Sequence, residues 1–267
     1  MMELFEIYRA QFKVAMAVEL QYRVSAFIWL IGTVLEPVVY LVVWSAVAEA
    51  GGGSVGGYNG ADFAAYYISM MIVNHLTFTW HMWEYDYRIR QGLLSPLLLK
   101  PLHPIHMDIA ENLSHKLFTL LVIGPTALLL VWLFQPAWYT PLWATLLAVP
   151  AIVLAFLIQF LLGWAVAMAA FWTTRIAAIN RIYFLGKFFL GGQVAPLVLL
   201  PPFVQTMATI SPFRWMLSFP VELLLGRLPQ ADAWLGLGAQ VIWFGLTLSA
   251  VKLVWRAGIR RYAAFGA

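Results

Sequence analysis

Cysteine is absent from this chain of 267 residues, and charged side chains make up only 10% of it. Without cysteine the chain can form no disulfide, no thiolate metal site and no cysteine nucleophile, and the absence carries no information on compartment. Hydrophobic residues reach 63%, well above the level of soluble proteins. Six membrane spans of about 20 residues would use nearly half of such a chain. We therefore expect one all-α, polytopic membrane domain over residues 1–267, with no separate soluble catalytic domain.

The familiar catalytic motifs are also missing. The sequence has no Walker-type lysine motif, no Gly-x-Ser-x-Gly and no His-Glu-x-x-His, and no Lys-Ser or Lys-Thr follows the glycine-rich run 51–57. His103 and His106 are three residues apart, but Pro101 and Pro104 prevent a regular helix from presenting them together. No cysteine or cluster of acidic residues stands beside them to complete a metal site. We expect no catalytic residue, no metal and no cofactor in this chain itself.

Positive charge is concentrated in a few places. Of the sixteen Lys and Arg residues, all but Arg214 and Arg227 fall in four patches. Lys and Arg on short loops set membrane orientation, so the four patches and both termini should lie on the cytoplasmic side. The net charge of +4 then reflects membrane topology, and no nucleic-acid partner is expected. The patches are Arg9–Arg23, Arg88–Lys116, Arg175–Lys187 and Lys252–Arg261.

An even number of apolar segments must separate the first patch from the last, and six can be assigned. The fourth is long enough to tilt or to continue beyond the bilayer. The predicted spans are 24–48, 61–83, 117–134, 142–172, a fifth that begins after Lys187 and ends at Pro201-Pro202, and 233–254.

Two further segments are predicted to lie at the membrane without crossing it. Residues 1–22 form an amphipathic surface helix, with Phe5, Tyr8, Phe12 and Ala15 on one face and Glu3, Glu6, Arg9 and Lys13 on the other. Residues 203–230 are apolar but contain Pro212, Arg214, Pro220 and Glu222. Counting them as a span would put the basic C-terminal patch outside. We therefore expect short re-entrant helices on the outer side, between spans five and six.

Several polar side chains fall inside the predicted spans. Glu36 lies near the middle of the first, and a charge there costs on the order of 3 kcal/mol to insert. It either provides an anionic spot for a cationic or zwitterionic substrate or, beside Pro37, satisfies local backbone groups. Asn74 and His75 in the second span either line a substrate path or form interhelical hydrogen bonds. Trp80 either lines a cavity that attracts organic cations or belongs to an interfacial aromatic belt.

The second basic patch is more apolar than a solvated loop needs to be. Ile89, Leu93 and Leu97 are spaced four apart, so a short helix would have an apolar edge flanked by cations. Such a helix either lies on the bilayer surface or inserts into a groove of a cytosolic partner. Its composition does not distinguish these alternatives.

Three segments of the chain resemble ABC-2-type permeases, in particular the subgroup of viologen-exporter-like and daunorubicin-exporter-like permeases. The likeness extends from the surface helix to the basic tail. The segments are Arg90-Gln91-Gly92-Leu93 followed by Leu99-Lys100-Pro101-Leu102, then 211–226, and then 255–262.

The resemblance implies a permease half in the prokaryotic plasma membrane that pairs with a second permease, identical or homologous. Two cytosolic ABC ATPase subunits would bind ATP and Mg²⁺ and drive export of a hydrophobic or cationic small molecule. By this analogy, 1–22 is a connecting helix, and 84–116 is a cytoplasmic coupling loop. Pro212, Arg214, Pro220 and Glu222 would form an outer gate. The ATPase-coupling residues would be Arg88, Arg90, Gly92, Leu93, Leu97, Lys100 and Pro101.

Two alternatives stay open at this stage. A proton-coupled secondary transporter could use Glu36 and His75 as a proton relay, because intramembrane Glu and His are what such a transporter needs. An ABC-2 permease could also export lipids or glycans.

Overall fold

The chain folds into α-helices joined by short connections. The computed structural model describes residues 2–173 and 176–262, with side chains from residue 5 onward. Over this part of the chain the only β-type pairing is an isolated bridge between Val55 and Tyr58. Short 3₁₀ turns lie at Met168–Phe171 and Leu197–Leu199. The helices are α1 Met2–Gln21, α2 Arg23–Ala50, α3 Gly60–Thr77, α4 His81–Arg90, α5 Leu94–Leu98, α6 Ile105–Phe134, α7 Leu142–Ala167, α8 Ile176–Leu190, α9 Pro202–Ile210, α10 Pro212–Met216, α11 Ser218–Leu224 and α12 Gln230–Ile259.

Four of the described helices are long and apolar enough to cross a membrane. They contain the predicted first, third, fourth and sixth spans. Each has about 30 residues, enough for the hydrocarbon core with some tilt. The protein is therefore a multi-pass membrane protein. The four helical stretches are Arg23–Ala50, Ile105–Phe134, Leu142–Phe171 and Gln230–Ile259.

The predicted second span corresponds to α3, which lies at the centre of the structure. It packs against α2, α6, α7 and α11, and buries residues on all of its sides. A helix enclosed by other helices has no lipid-facing stripe to keep apolar, which explains its polar residues. Asn59 and Asp62 cap its start reciprocally, at 2.9 and 3.0 Å. The helix ends at Thr77, and α4 resumes at His81, so the predicted span is interrupted near its end.

The predicted boundaries of the fifth span are wrong. The helix in this region is α8, which ends at Leu190, and the segment up to Pro201 is irregular apart from one 3₁₀ turn. Gly192 adopts a left-handed φ of 79°, which favours glycine and ends the helix. The sequence predicts Lys187 at the end of a cytoplasmic patch, yet it lies within α8 and is only 2% exposed. Arg175, the start of that predicted patch, lies outside the described residues.

The N-terminal helix is present and packs along α6. The hydroxyl of Tyr8 lies 2.7 Å from His106 Nδ1, and Glu19 lies 2.9 Å from His115 Nδ1. On the predicted apolar face, Ala15 is buried, but Phe5 is 70% exposed. One residue, Tyr22, separates α1 from α2.

The segment predicted to be re-entrant contains three short helices. α9, α10 and α11 follow one another over 202–224, and Pro202 and Pro212 occupy first-turn positions, where a missing N–H costs nothing. We call the end of the molecule that carries α4 and α5 the loop end, and the end that carries the run 51–57 the glycine end. Tyr262 meets Ser95 at the loop end (2.9 Å), and Arg227 meets the Gly57 carbonyl at the glycine end (3.3 Å).

Candidate coupling surface and intramembrane polar groups

At the loop end, residues 90–101 form one compact segment, which we call the apex. Gly92 has a left-handed φ of 70° and turns the chain from α4 into α5. Because of this turn, Ile89 and Leu97 lie on different helices, and the single continuous apolar edge expected from their spacing is not formed. Ile89 and Leu94 are buried instead and hold the apex to the body of the protein.

The exposed surface of the apex combines leucines with cations. Leu93 is 45% exposed and Leu99 is 87% exposed. Arg90, Lys100 and Pro101 are exposed beside them. Arg90 Nε bonds Asp86 Oδ1 at 2.7 Å, a pair one helical turn apart. A shallow pocket of about 290 Å³ lies next to the apex, lined by Leu97, Leu98, Lys100, Pro101, Leu102, His103, Pro104, Trp255 and Ile259.

Behind the apex, a buried carboxylate joins three helices. Asp108 on α6 is 1% exposed and accepts hydrogen bonds from Tyr85 (2.7 Å), Arg88 (2.7 Å) and Trp164 (2.9 Å). Tyr85 and Arg88 belong to α4, and Trp164 belongs to α7. A buried charge is tolerated only when it is paired and hydrogen-bonded, and Asp108 meets both conditions.

Arg88 is the cation of this network. Its guanidinium also bonds Glu84 at 2.9 Å and Glu111 at 3.4 Å, and its side chain is 14% exposed. The carboxylates of Glu84, Asp108 and Glu111 lie close enough together to hold a metal ion. Arg88 bonds all three of them, which favours an ion-pair cluster. Burial raises the pKa of Glu84, and Arg88 opposes that rise.

Arg88 is predicted to lie on the contact surface, whereas its guanidinium points inward to Asp108. Asp108 is not among the residues predicted from the sequence. The signal for Asp108 is an acidic residue within a patch of cations, followed by Glu111 three residues later and then by a long apolar run.

Two buried lysines lie where α3 ends. Lys116 Nζ donates to the carbonyl of Phe78, and Lys187 Nζ donates to Asn74 Oδ1 at 2.9 Å. The end of a helix carries partial negative charge, which stabilises both ammonium groups. His75 Nε2 lies 3.4 Å from the Lys116 carbonyl. Asn74 and His75 thus each have an interhelical partner.

Trp80 lies in the break between α3 and α4. Its indole N–H donates to Glu84 Oε1 at 3.0 Å, and its ring meets that of His115 at 4.8 Å. Since His115 also bonds Glu19, this ring contacts both the attachment of α1 and the network around Arg88.

Glu36 lies at the centre of α2 with its side chain exposed. No hydrogen bond or ion pair to it occurs among the described residues, and its electrostatic partner at longer range is Lys187. Nothing joins it to His75, so no described contact connects the two groups of the suggested proton relay.

At the glycine end, Glu222 accepts hydrogen bonds from Arg214 (3.0 Å) and Ser218 (2.7 Å). Arg214 also donates to Thr209 at 3.1 Å, which ties α9, α10 and α11 together. Pro212 begins α10, and Pro220 is buried in α11. The residues of the predicted outer gate therefore lie in one folded unit.

Comparison with known proteins gives one match. The model of the family described as ABC-2 family transporter protein matches residues 34–266. No curated protein matches the chain. The family match covers α2 from residue 34, the other long apolar helices, the apex and the short helices at the glycine end. The chain therefore belongs to the ABC-2 transporter family, whose members in general work with ABC ATPase subunits.

Proposed function

We propose that this chain is the permease subunit of an ATP-driven exporter in the prokaryotic plasma membrane. Two cytosolic ATPase subunits bind ATP and Mg²⁺, and a second permease, identical or homologous, completes the path. The cargo is a hydrophobic or cationic small molecule, as in the viologen- and daunorubicin-exporter-like permeases. Family membership supports the general scheme. The assignment of the ATPase contact rests on the apex, where exposed leucines and cations lie on a segment anchored by the buried residues Ile89 and Leu94.

The apex has the composition of a docking surface. Leu93 and Leu99 supply apolar area, and Arg90 and Lys100 supply a charged rim. A leucine that is 87% exposed is more costly in water than in a partner's cleft. We assign the direct contact with the ATPase to Arg90, Leu93, Lys100 and Pro101, with Gly92 and Leu97 shaping the surface.

Force applied to the apex would reach the spans through α4. Arg88 and Tyr85 connect α4 to Asp108 on α6, and Asp108 is bonded to Trp164 on α7. The break after Thr77 separates α4 from α3, so α4 can tilt without bending α3. Arg88 therefore acts as a transmitting residue, and the contact itself is made further along the chain.

Co-purification of the chain with the products of its neighbouring genes, followed by a search for an ATPase subunit, tests the proposal. We expect Leu93→Glu combined with Arg90→Glu to lower the recovered ATPase at least tenfold. The control is Leu142→Glu, which changes a leucine at the glycine end that is 74% exposed, compared with 45% for Leu93. Undiminished ATPase recovery with the apex variant would refute the docking assignment, and so would an equal loss with both variants.

A further inference from the structure

A pocket at the glycine end lies where the short helices meet the start of α12. It opens beside a helix long and apolar enough to cross the membrane. Trp234, next to the pocket, is 57% exposed, as is typical of aromatic residues at the membrane–water interface. The pocket therefore lies at the level of lipid headgroups. Its volume is about 300 Å³, and its lining includes Arg214 and Trp215 of α10, Phe219 of α11, and Asp232, Leu235 and Gly236 of α12.

Two aromatic rings form one wall of the pocket. The ring centres of Trp215 and Phe219 lie 5.6 Å apart, and both side chains are buried. The Trp215 indole N–H donates to the Thr209 carbonyl at 3.0 Å, which fixes the position of the ring. Phe219 packs so closely on Gly236 that a Cβ at this glycine would lie 2.1 Å from the ring. This wall is therefore apolar and held in place before any ligand binds.

Two opposite charges line the pocket without bonding each other. Arg214 donates to Thr209 at 3.1 Å and to Glu222 at 3.0 Å, which leaves N–H groups of its guanidinium for a further acceptor. Asp232 is exposed, and it forms no hydrogen bond or ion pair among the described residues. Because Glu222 already balances the charge of Arg214, the carboxylate of Asp232 gives this region an excess of negative charge.

An apolar stripe on α12 begins at the pocket. Leu235, Ile242, Leu246 and Leu253 recur at helical spacing and are largely exposed. Leu235 also lines the pocket, so the stripe and the pocket form one continuous surface. An exposed apolar surface on a spanning helix contacts the acyl chains of the bilayer. A molecule whose polar part fills the pocket can therefore extend an apolar part along α12.

We propose that this pocket binds the headgroup of phosphatidylethanolamine, as a resident membrane lipid and not as cargo. The ammonium group of the lipid donates to Asp232, and its phosphate accepts from the free N–H groups of Arg214. The acyl chains follow the stripe that starts at Leu235. A zwitterion fits because the pocket holds both signs of charge, whereas the excess carboxylate disfavours an anionic lipid. The bound lipid joins α10 to the start of α12, and the inference does not depend on the export function proposed above.

Native mass spectrometry of the full-length chain, isolated from membranes with its subunits and stripped of lipid by detergent, tests the proposal. Three lipids with the same dioleoyl chains are compared: phosphatidylethanolamine, phosphatidylcholine and phosphatidylglycerol. We expect the first to bind about tenfold tighter than either of the others. Phosphatidylcholine has no N–H group to donate to Asp232, and phosphatidylglycerol carries a net negative charge.

Asp232→Asn should weaken the binding of phosphatidylethanolamine about fivefold, because the charge-assisted bond to the ammonium group is lost. It should not weaken the binding of phosphatidylglycerol. The substitution disturbs no packing, since Asp232 is exposed. Glu49→Gln is the matched control, because Glu49 is another exposed carboxylate at the glycine end and does not line the pocket. This control should change the binding of neither lipid.

Equal affinity for the three lipids would overturn the inference, because it would indicate unselective contact with the bilayer. So would an unchanged preference in Asp232→Asn, or the same loss in Glu49→Gln. Glycerophosphoethanolamine, the headgroup without acyl chains, is then added in large excess and should not displace the lipid. Displacement would show that the pocket takes a soluble zwitterion, and the lipid assignment would fall.

Discussion

Arg88 on α4 and Asp108 on α6 form a buried ion pair with a nitrogen–oxygen distance of 2.7 Å. The pair joins the helix that leads to the apex to one of the long spanning helices. Tyr85 and Trp164 satisfy the remaining oxygen of Asp108. A pair of this kind adds little net stability, but removal of one partner leaves a buried charge uncompensated.

We predict that Arg88→Met destabilises the protein by about 3–5 kcal/mol, because it leaves the buried Asp108 carboxylate without its cation. Asp108→Asn should cost less, because Arg88 keeps its bonds to Glu84 and Glu111. The double variant should be more stable than the sum of the two losses implies, since no buried charge then remains unpaired. Thermal unfolding of the purified complex measures all three. Glu111→Gln is the control and should have a smaller effect, because this side chain is 36% exposed and its bond is 3.4 Å long. Additive losses in the double variant would show that the two residues act separately.

We predict that Gly92→Ala weakens coupling to the ATPase. A φ of 70° strains any residue with a Cβ by about 1 kcal/mol, and relief of that strain would turn Leu93 away from its present direction. ATP hydrolysis stimulated by substrate should fall severalfold in the reconstituted complex. Gly124→Ala is the matched control, because Gly124 lies in regular helix and an added Cβ there meets no atom within 4 Å. Full stimulation with Gly92→Ala would mean that the turn does not set the docking geometry.

The sequence predicts best those parts of the fold that depend on a single physical effect. Long apolar runs identify α2, α6, α7 and α12, because a lipid-facing surface must be apolar. The start of α3 carries a capping box that short-range sequence rules describe, with Asn59 at the N-cap and Asp62 three residues later. Helix capping and lipid exposure both depend on residues that are close together in the sequence, so both can be predicted from it.

What sequence reasoning missed depends on contacts between distant residues. The sequence predicts Lys187 at the edge of a loop. Nothing in the sequence shows that the end of α3 and the Asn74 side chain would stabilise this buried ammonium group. Asp108 and Arg88 are 20 residues apart on separate helices, so no spacing rule connects them. The turn at Gly92 divided an apparent helical edge, because four-residue periodicity carries no information on where a helix ends.

Membrane orientation can be tested directly, because the chain contains no cysteine. We predict that Leu99→Cys, on the exposed apex, reacts with an impermeant maleimide only from the cytoplasmic side. Ser54→Cys, in the glycine-rich loop, should react only from outside. Labelling of intact cells and of inverted vesicles distinguishes the two faces, with the unmodified protein as the blank. Reaction of both cysteines from one side would contradict the assigned topology.

The last prediction concerns the contacts that Arg227 makes at the glycine end. Arg227 bonds Asp62 at 2.8 Å and the Gly57 carbonyl at 3.3 Å, and its guanidinium lies 3.7 Å from the centre of the Tyr58 ring. One side chain thus fastens the glycine-rich loop and the start of α3 to the chain that follows α11. We predict that Arg227→Gln releases this loop, because the ion pair and the cation–π contact are both lost. Amide hydrogen exchange over 51–59 should then rise at least tenfold.

Arg214→Gln serves as the control for that measurement. Arg214 bonds Thr209 and Glu222 within the short helices, and among the described residues it forms no hydrogen bond or ion pair with the glycine-rich loop. Its loss should speed exchange in α9–α11 and leave 51–59 unchanged. If exchange over 51–59 stayed slow in Arg227→Gln, the bridge between Val55 and Tyr58 would be sufficient to hold the loop. Arg227 would then have no role in holding the glycine-rich loop.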